Sequence, residues 1–224
     1  MELLEFARGP ALMFSISVFI AGVLFRIFSL AFMWRSKDTS AAHPGEKPQF
    51  LAALGDIVRR MWPLATYRQR SLFQWINGYV FHIGLFIVVF FLLPHILFID
   101  DLTGLNWGHL PNNVIYAISI VTLISLVAAL IMRISNPPQR LISTFDDYFS
   151  WLVTFLPVLS GIVATTHLGA RYETLLALHI LSVCLLLIYM PFGKLMHFFL
   201  VFVTRSQTGA HIAHRRRTTV FKGE

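Results

Sequence analysis

His179 and His197 lie eighteen residues apart in one apolar run, LLALHILSVCLLLIYMPFGKLMHFFLVFV. On a regular helix, turning about 100° per residue, the two imidazoles share a face and stand ~27 Å apart along the axis. A bilayer's hydrocarbon core is ~30 Å thick, so such a helix carries one ring near each membrane surface. A second apolar run brings His82, in WINGYVFHIGLF, and His95, directly after Pro94. If the two helices run antiparallel, His82 matches His197 in depth and His95 matches His179. Four imidazoles at two depths are the ligands that two bis-histidine haems require. With both axial positions filled, no site is left for oxygen or substrate, and such haems conduct electrons without bond chemistry at the metal. The other way to satisfy a ring in hydrocarbon is a hydrogen bond to a neighbouring helix.

His95 poses a geometric problem. It follows His82 by thirteen residues, a rotation of about 220° on a regular helix, which turns the two rings to different faces. A kink at Pro94 offers a correction, and a headgroup-level surface histidine is the competing reading. His109 and His167 are lesser candidates on the same side. Arg26, in VLFRIFSL, is placed either to neutralise a haem propionate or to snorkel to the surface, and Lys194, one turn before His197, invites the same two readings.

The elements that must hold these residues are membrane spans. The chain has 224 residues, of which 56% are hydrophobic and 13% charged, and the apolar residues fall in separate long runs. This composition excludes an ordinary soluble domain and predicts an all-α integral membrane protein. Five spans are expected, at about Ala11 to Trp34, Ile76 to Ile99, Val114 to Ile134, Tyr148 to His167 and Leu175 to Val203, forming a single domain. The acidic start MELLEFARGP and the absence of a small-residue cleavage site argue against a signal peptide, so the first helix is expected to stay. Trp34, Trp62, Trp75, Trp107 and Trp151 fall at span ends, as an interfacial belt would place them.

Basic residues crowd one side. Arg35, Lys37, Lys47, Arg59, Arg60, Arg68 and Arg70 precede the second span; Arg133 lies at the end of the third and Arg140 follows it; Arg205, Arg215, Arg216, Arg217 and Lys222 follow the fifth. The other side has Arg8, Arg171, Asp100 and Asp101. The bias predicts an external N-terminus and a cytoplasmic C-terminus. The net charge of +7 therefore belongs to an inner face, and with no recognition motif beside it nucleic acid is not expected as a partner. Within the loop 35–75, Phe50, Leu51, Leu54, Ile57, Val58 and Met61 recur at helical spacing opposite Asp56, Arg59 and Arg60. A short amphipathic helix is expected there, on anionic lipid or against a soluble partner. The lone Cys184 excludes an internal disulfide and a cysteine-ligated cluster, and no CxxCH occurs, so any haem is held non-covalently.

After His179 come Pro191 and Phe192, then Lys194, Leu195 and His197. This pattern resembles the last helix of the gamma subunit of respiratory nitrate reductase, and Phe81-His82-Ile83-Gly84 resembles its second helix. The five-span plan and the opening Ala7-Arg8-Gly9-Pro10 resemble the related cytochrome b membrane subunits of sulfur-metabolism redox complexes, the DsrM, HmcE and TmcC types. The resemblance implies a dihaem b-type cytochrome in a prokaryotic inner membrane that exchanges electrons between the quinone pool and a cytoplasmic-side iron–sulfur subunit, with further membrane or periplasmic cytochrome subunits as partners. It implies His82 with His197 for an inner haem and His179 for an outer one. The nitrate reductase pattern has its other second-helix histidine ten residues after the first, and here that position is Leu92. His95 is then expected opposite His179, unless the outer haem has another ligand or is absent. The quinone side is the side of His95, His167 and Arg171. Two rival classes remain: a haem-free or monohaem anchor for a catalytic subunit, and a small transporter, which would want broken helices and paired midplane charges.

Overall fold

A computed structural model describes residues 2–32, 49–63, 65–166 and 169–215. The expected positions Trp34, Arg35, Lys37, Lys47, His167, Arg216, Arg217 and Lys222 lie outside them. Among the described residues the chain is helical with no strand, and five helical stretches are long and apolar enough to cross a membrane: Leu3–Leu30, Ala65–Phe91, Asn112–Ser135, Phe145–Thr166 and Tyr172–Tyr189. The chain divides into two compact units, residues 1–24 with 73–195, and residues 25–72 with 196–224.

The first span begins with a short α1 (Leu3–Phe6), passes through a π-helical turn at Ala7–Ala11 and continues as α2 (Leu12–Phe32). Pro10 sits inside the wide turn, where its missing N–H removes one ladder bond. The amphipathic helix expected in the first loop is α3 (Gln49–Arg59), with an Asp56–Arg60 pair one turn apart. Its apolar residues Phe50, Leu51, Leu54 and Val58 are exposed.

Two expected spans are shorter than the apolar runs that predicted them. The second helix, α4 (Arg68–Phe91), stops where Leu92 turns extended, and a new helix, α5 (Leu93–Thr103), starts with Pro94 in its first turn. Proline has no N–H to donate and crowds the carbonyl one turn back, so the chain restarts instead of kinking. The third span is α6 (Asn112–Ser135), followed by a short α7 (Pro137–Ile142) and the fourth span α8 (Phe145–Thr166). The fifth span, expected at 175–203, is also interrupted. Helix α9 (Tyr172–Tyr189) ends before Pro191, and α10 (His197–Arg215) begins after a 3-10 turn at Lys194–Met196. His179 and His197 therefore sit on separate helices, and the single-helix spacing argument does not hold for this chain. Tyr189 lies over the stop: its ring occupies the space a Cβ at residue 193 would need, and a side chain there would displace the tip of the ring. Its hydroxyl meanwhile bonds Asp146 and Ser150.

In the larger unit α8 packs along α9 and α6, and α9 packs against the π turn. Small and hydroxyl residues make these contacts. Asn77 and Ser125 exchange bonds between α4 and α6, at 2.7 Å from hydroxyl to amide oxygen and 3.0 Å from amide to main-chain oxygen. Trp151 donates to the Leu126 carbonyl at 2.7 Å, tying α8 to α6. Asp147, 9% exposed, holds both Arg133 at 2.9 Å and Lys194, and accepts from the Thr144 amide that opens α8. Lys194 is thus an ion-pair partner of Asp147. Cys184 is buried. In the smaller unit α3 packs on α10.

α4 comes close to α6 at Gly84, where a Cβ would lie 2.0 Å from Thr122 Oγ1 and 3.2 Å from its Cβ. Overpacking costs about 1–3 kcal/mol, more than the ~0.6 kcal/mol of an average interhelical hydrogen bond in a membrane. Gly84→Ala should therefore lower the melting temperature in detergent by about 2–10 °C. Adding Thr122→Ala should recover part of the loss, and Gly55→Ala, with nothing within 4 Å, should cause none. Equal melting temperatures for the Gly84 variant and the parent would show that this contact does not set the α4–α6 distance.

Candidate functional site

The structure brings two of the candidate histidines together. His95 on α5 and His179 on α9 have nearly parallel rings, 10° apart in orientation, with centroids 6.2 Å apart. Two axial imidazoles on one metal have metal–nitrogen bonds of about 2.0–2.1 Å each and about 1.1 Å from nitrogen to ring centre, which gives about 6.3 Å. The observed centroid spacing of 6.2 Å matches that figure and is wider than direct face-to-face contact at about 3.5–4.0 Å.

The hydrogen bonds assign the proton on each ring. His95 Nδ1 lies 3.0 Å from the Val88 carbonyl oxygen. A carbonyl only accepts, so Nδ1 carries the hydrogen and Nε2 keeps its lone pair. This bond exists because of the break at Leu92. Three carbonyls near the end of α4 take partners from beyond it: Val88 from His95, Phe90 from the Trp107 indole at 2.6 Å, and Phe91 from the Leu110 amide at 3.0 Å. The capped break also explains why the 220° rotation expected on a continuous helix does not apply to His95.

On α9, His179 Nδ1 is 3.2 Å from Ser160 Oγ, and Ser160 Oγ is 2.7 Å from the Leu156 carbonyl. Ser160 has one hydrogen and gives it to that carbonyl, so it accepts from the imidazole. Ser182 completes the network, 3.0 Å from Ser160 and donating to the His179 main-chain oxygen at 2.6 Å. Both rings thus present an unprotonated Nε2, as metal ligands do when the other nitrogen is held by an outer partner. Gly161 permits the approach of α8 to this ring, since a Cβ there would lie 3.2 Å from His179 Cε1 and 3.4 Å from Nδ1. Among the described residues no cluster of three or more histidine, cysteine, aspartate or glutamate side chains is present. A two-ligand haem site needs only the pair.

The remaining candidates are more dispersed. His82 is exposed on α4, its Nδ1 held by the Gly78 carbonyl at 2.7 Å and its ring stacked on Phe81. His197 is exposed at the first turn of α10, and Arg26 is exposed on α2. His82 and His197 belong to different units. His109 is exposed in the loop after α5, and Arg171 precedes α9 with Glu173 at 3.6 Å. Sequence reasoning missed Val88, Ser160 and Gly161. The signal available for the last two was a Ser-Gly pair one turn after Pro157 in an apolar span.

Fold and site together define an all-helical, multi-span membrane protein with a pair of preset imidazoles between two of its helices. The chain belongs to the same family as a protein of Nitratidesulfovibrio vulgaris Hildenborough, with which it is 32% identical over 215 residues, 94% of each chain. No protein-family model and no solved structure matches it.

A side chain at residue 161 must push on the His179 ring. If the pair holds haem, Gly161→Val should lower the haem bound per chain, read as pyridine haemochrome against protein, while Gly108→Val, with nothing within 4 Å, should leave it unchanged. An unaltered ratio in the Gly161 variant would separate this ring from any haem the protein binds.

Proposed function

We propose that this chain is a dihaem b-type cytochrome, the membrane subunit that transfers electrons between the quinone pool and an iron–sulfur subunit of a respiratory complex in a prokaryotic inner membrane. The observation that carries the reading is the His95–His179 pair, with parallel rings 6.2 Å apart and both Nδ1 atoms engaged as donors. A haem b held at this pair would supply a one-electron couple. The residues do the rest. His95 and His179 would hold the metal from two helices, and Val88 and Ser160 orient the rings. His82 and His197 are the ligands that the family resemblance gives for the second haem, with Arg26 as a candidate partner for a propionate. The quinone side is assigned to the end of the chain's spans that carries His95, and the iron–sulfur partner to the basic side.

Replacement of His95 or His179 by alanine should remove the same low-spin b-type component, and replacement of His82 or His197 should remove the other. Redox difference spectra of purified variants, with a parent ratio of two haems per chain, check this. A parent with no Soret band would leave a haem-free anchor, and a ratio of one would leave a monohaem subunit.

Orientation follows from the basic bias of the first loop and tail. A C-terminal reporter should be active only in its cytoplasmic form, and one inserted between Asp100 and Pro111 only in its external form. The reverse pattern would exchange the two faces in the assignment above.

A further inference from the structure

Beyond the histidine pair stand the apolar groove between α4 and α6, the Tyr189–Asp146–Ser150 cluster, and the hydroxyl pair at His179. The groove, about 490 Å³ and lined by residues such as Ile76, Tyr79, Ile83 and Val121, faces hydrocarbon and selects no occupant. The Tyr189 cluster closes on itself and serves the turn at Gly193. The hydroxyl pair acts on a ligand.

We infer that Ser160 is a positioning residue that sets the electron-donating strength of His179, and through it the potential of the metal group held by His95 and His179. The inference rests on the cytochrome reading. Ser160 Oγ gives its hydrogen to the Leu156 carbonyl at 2.7 Å and receives one from His179 Nδ1 at 3.2 Å. A hydrogen bond accepted from Nδ1–H shifts electron density toward Nε2 and makes the ring a stronger donor. A stronger donor favours the oxidised metal over the reduced one and so lowers the potential. Ser182 Oγ lies 3.0 Å from Ser160 Oγ but gives its hydrogen to the His179 main-chain oxygen at 2.6 Å, so it leaves the Ser160 hydrogen to Leu156. With its own hydrogen committed to Leu156, Ser160 is held in its role as an acceptor.

The test is potentiometric titration of the full-length membrane protein, followed by difference spectroscopy, with the parent, Ser160→Ala and Ser160→Thr. Ser160→Ala should raise the midpoint of the component lost in His179→Ala, leave the other component in place, and weaken haem retention about tenfold. Ser160→Thr, which keeps the hydroxyl, should restore the parent value. If Ser160→Ala does not accumulate, Ser160→Cys, a much weaker acceptor, should give the same upward shift. An unchanged or lowered midpoint overturns the inference, as does an equal shift in the alanine and threonine variants. Absence of haem from the parent overturns the cytochrome reading itself, which keeps the two failures distinct.

Discussion

The bond from His95 Nδ1 to the Val88 carbonyl is the interaction on which the rest of the site depends. In hydrocarbon a main-chain carbonyl without a donor costs several kcal/mol, so a helix can be broken inside a membrane protein only where other groups cap the exposed end. At the end of α4 the caps are an imidazole, an indole and the amide of Leu110. Satisfying the backbone and orienting the ring are the same act. The break that Pro94 imposes also turns α5 so that its first-turn histidine faces α9.

The opposite side of the pair is built from small residues. Gly161 lets α8 close on the His179 ring, and Ser160 meets its Nδ1. The same economy of size appears at Gly84 against Thr122 and at Gly193 beneath Tyr189. Lipid tails give helices no hydrophobic reason to associate with one another, so contact density has to supply it. Individual hydrogen bonds such as Asn77 to Ser125 fix the register between helices, while the glycines fix the distance.

Much of this was legible in the sequence. Five spans follow from five apolar runs, and the first-loop helix from the spacing of Phe50, Leu51, Leu54 and Val58. The juxtaposition of His95 and His179 followed from depth and the proline, although the proline breaks the helix where a kink was expected. The end of α9 was misread because hydropathy does not register Pro191 and Gly193 as a stop when the flanking residues stay apolar. Because of that stop, His179 and His197 do not share one helix. Ser160 and Gly161 carry no periodic signal, only their place one turn after Pro157, and their meaning comes from the ring they face. His82 and His197 sit in different units, and their pairing still rests on resemblance.

The two rings are held by partners of different kinds. His95 is held by a peptide carbonyl, which every residue type at 88 except for its conformation would provide equally. His179 is held by a hydroxyl, which a single nucleotide change can delete. Drift therefore acts unevenly on the pair: the hold on one ring is buffered against mutation by the backbone itself, and the hold on the other is exposed to it. A lineage carrying this fold has one side chain on which selection can act to retune the site while its framework is inherited intact.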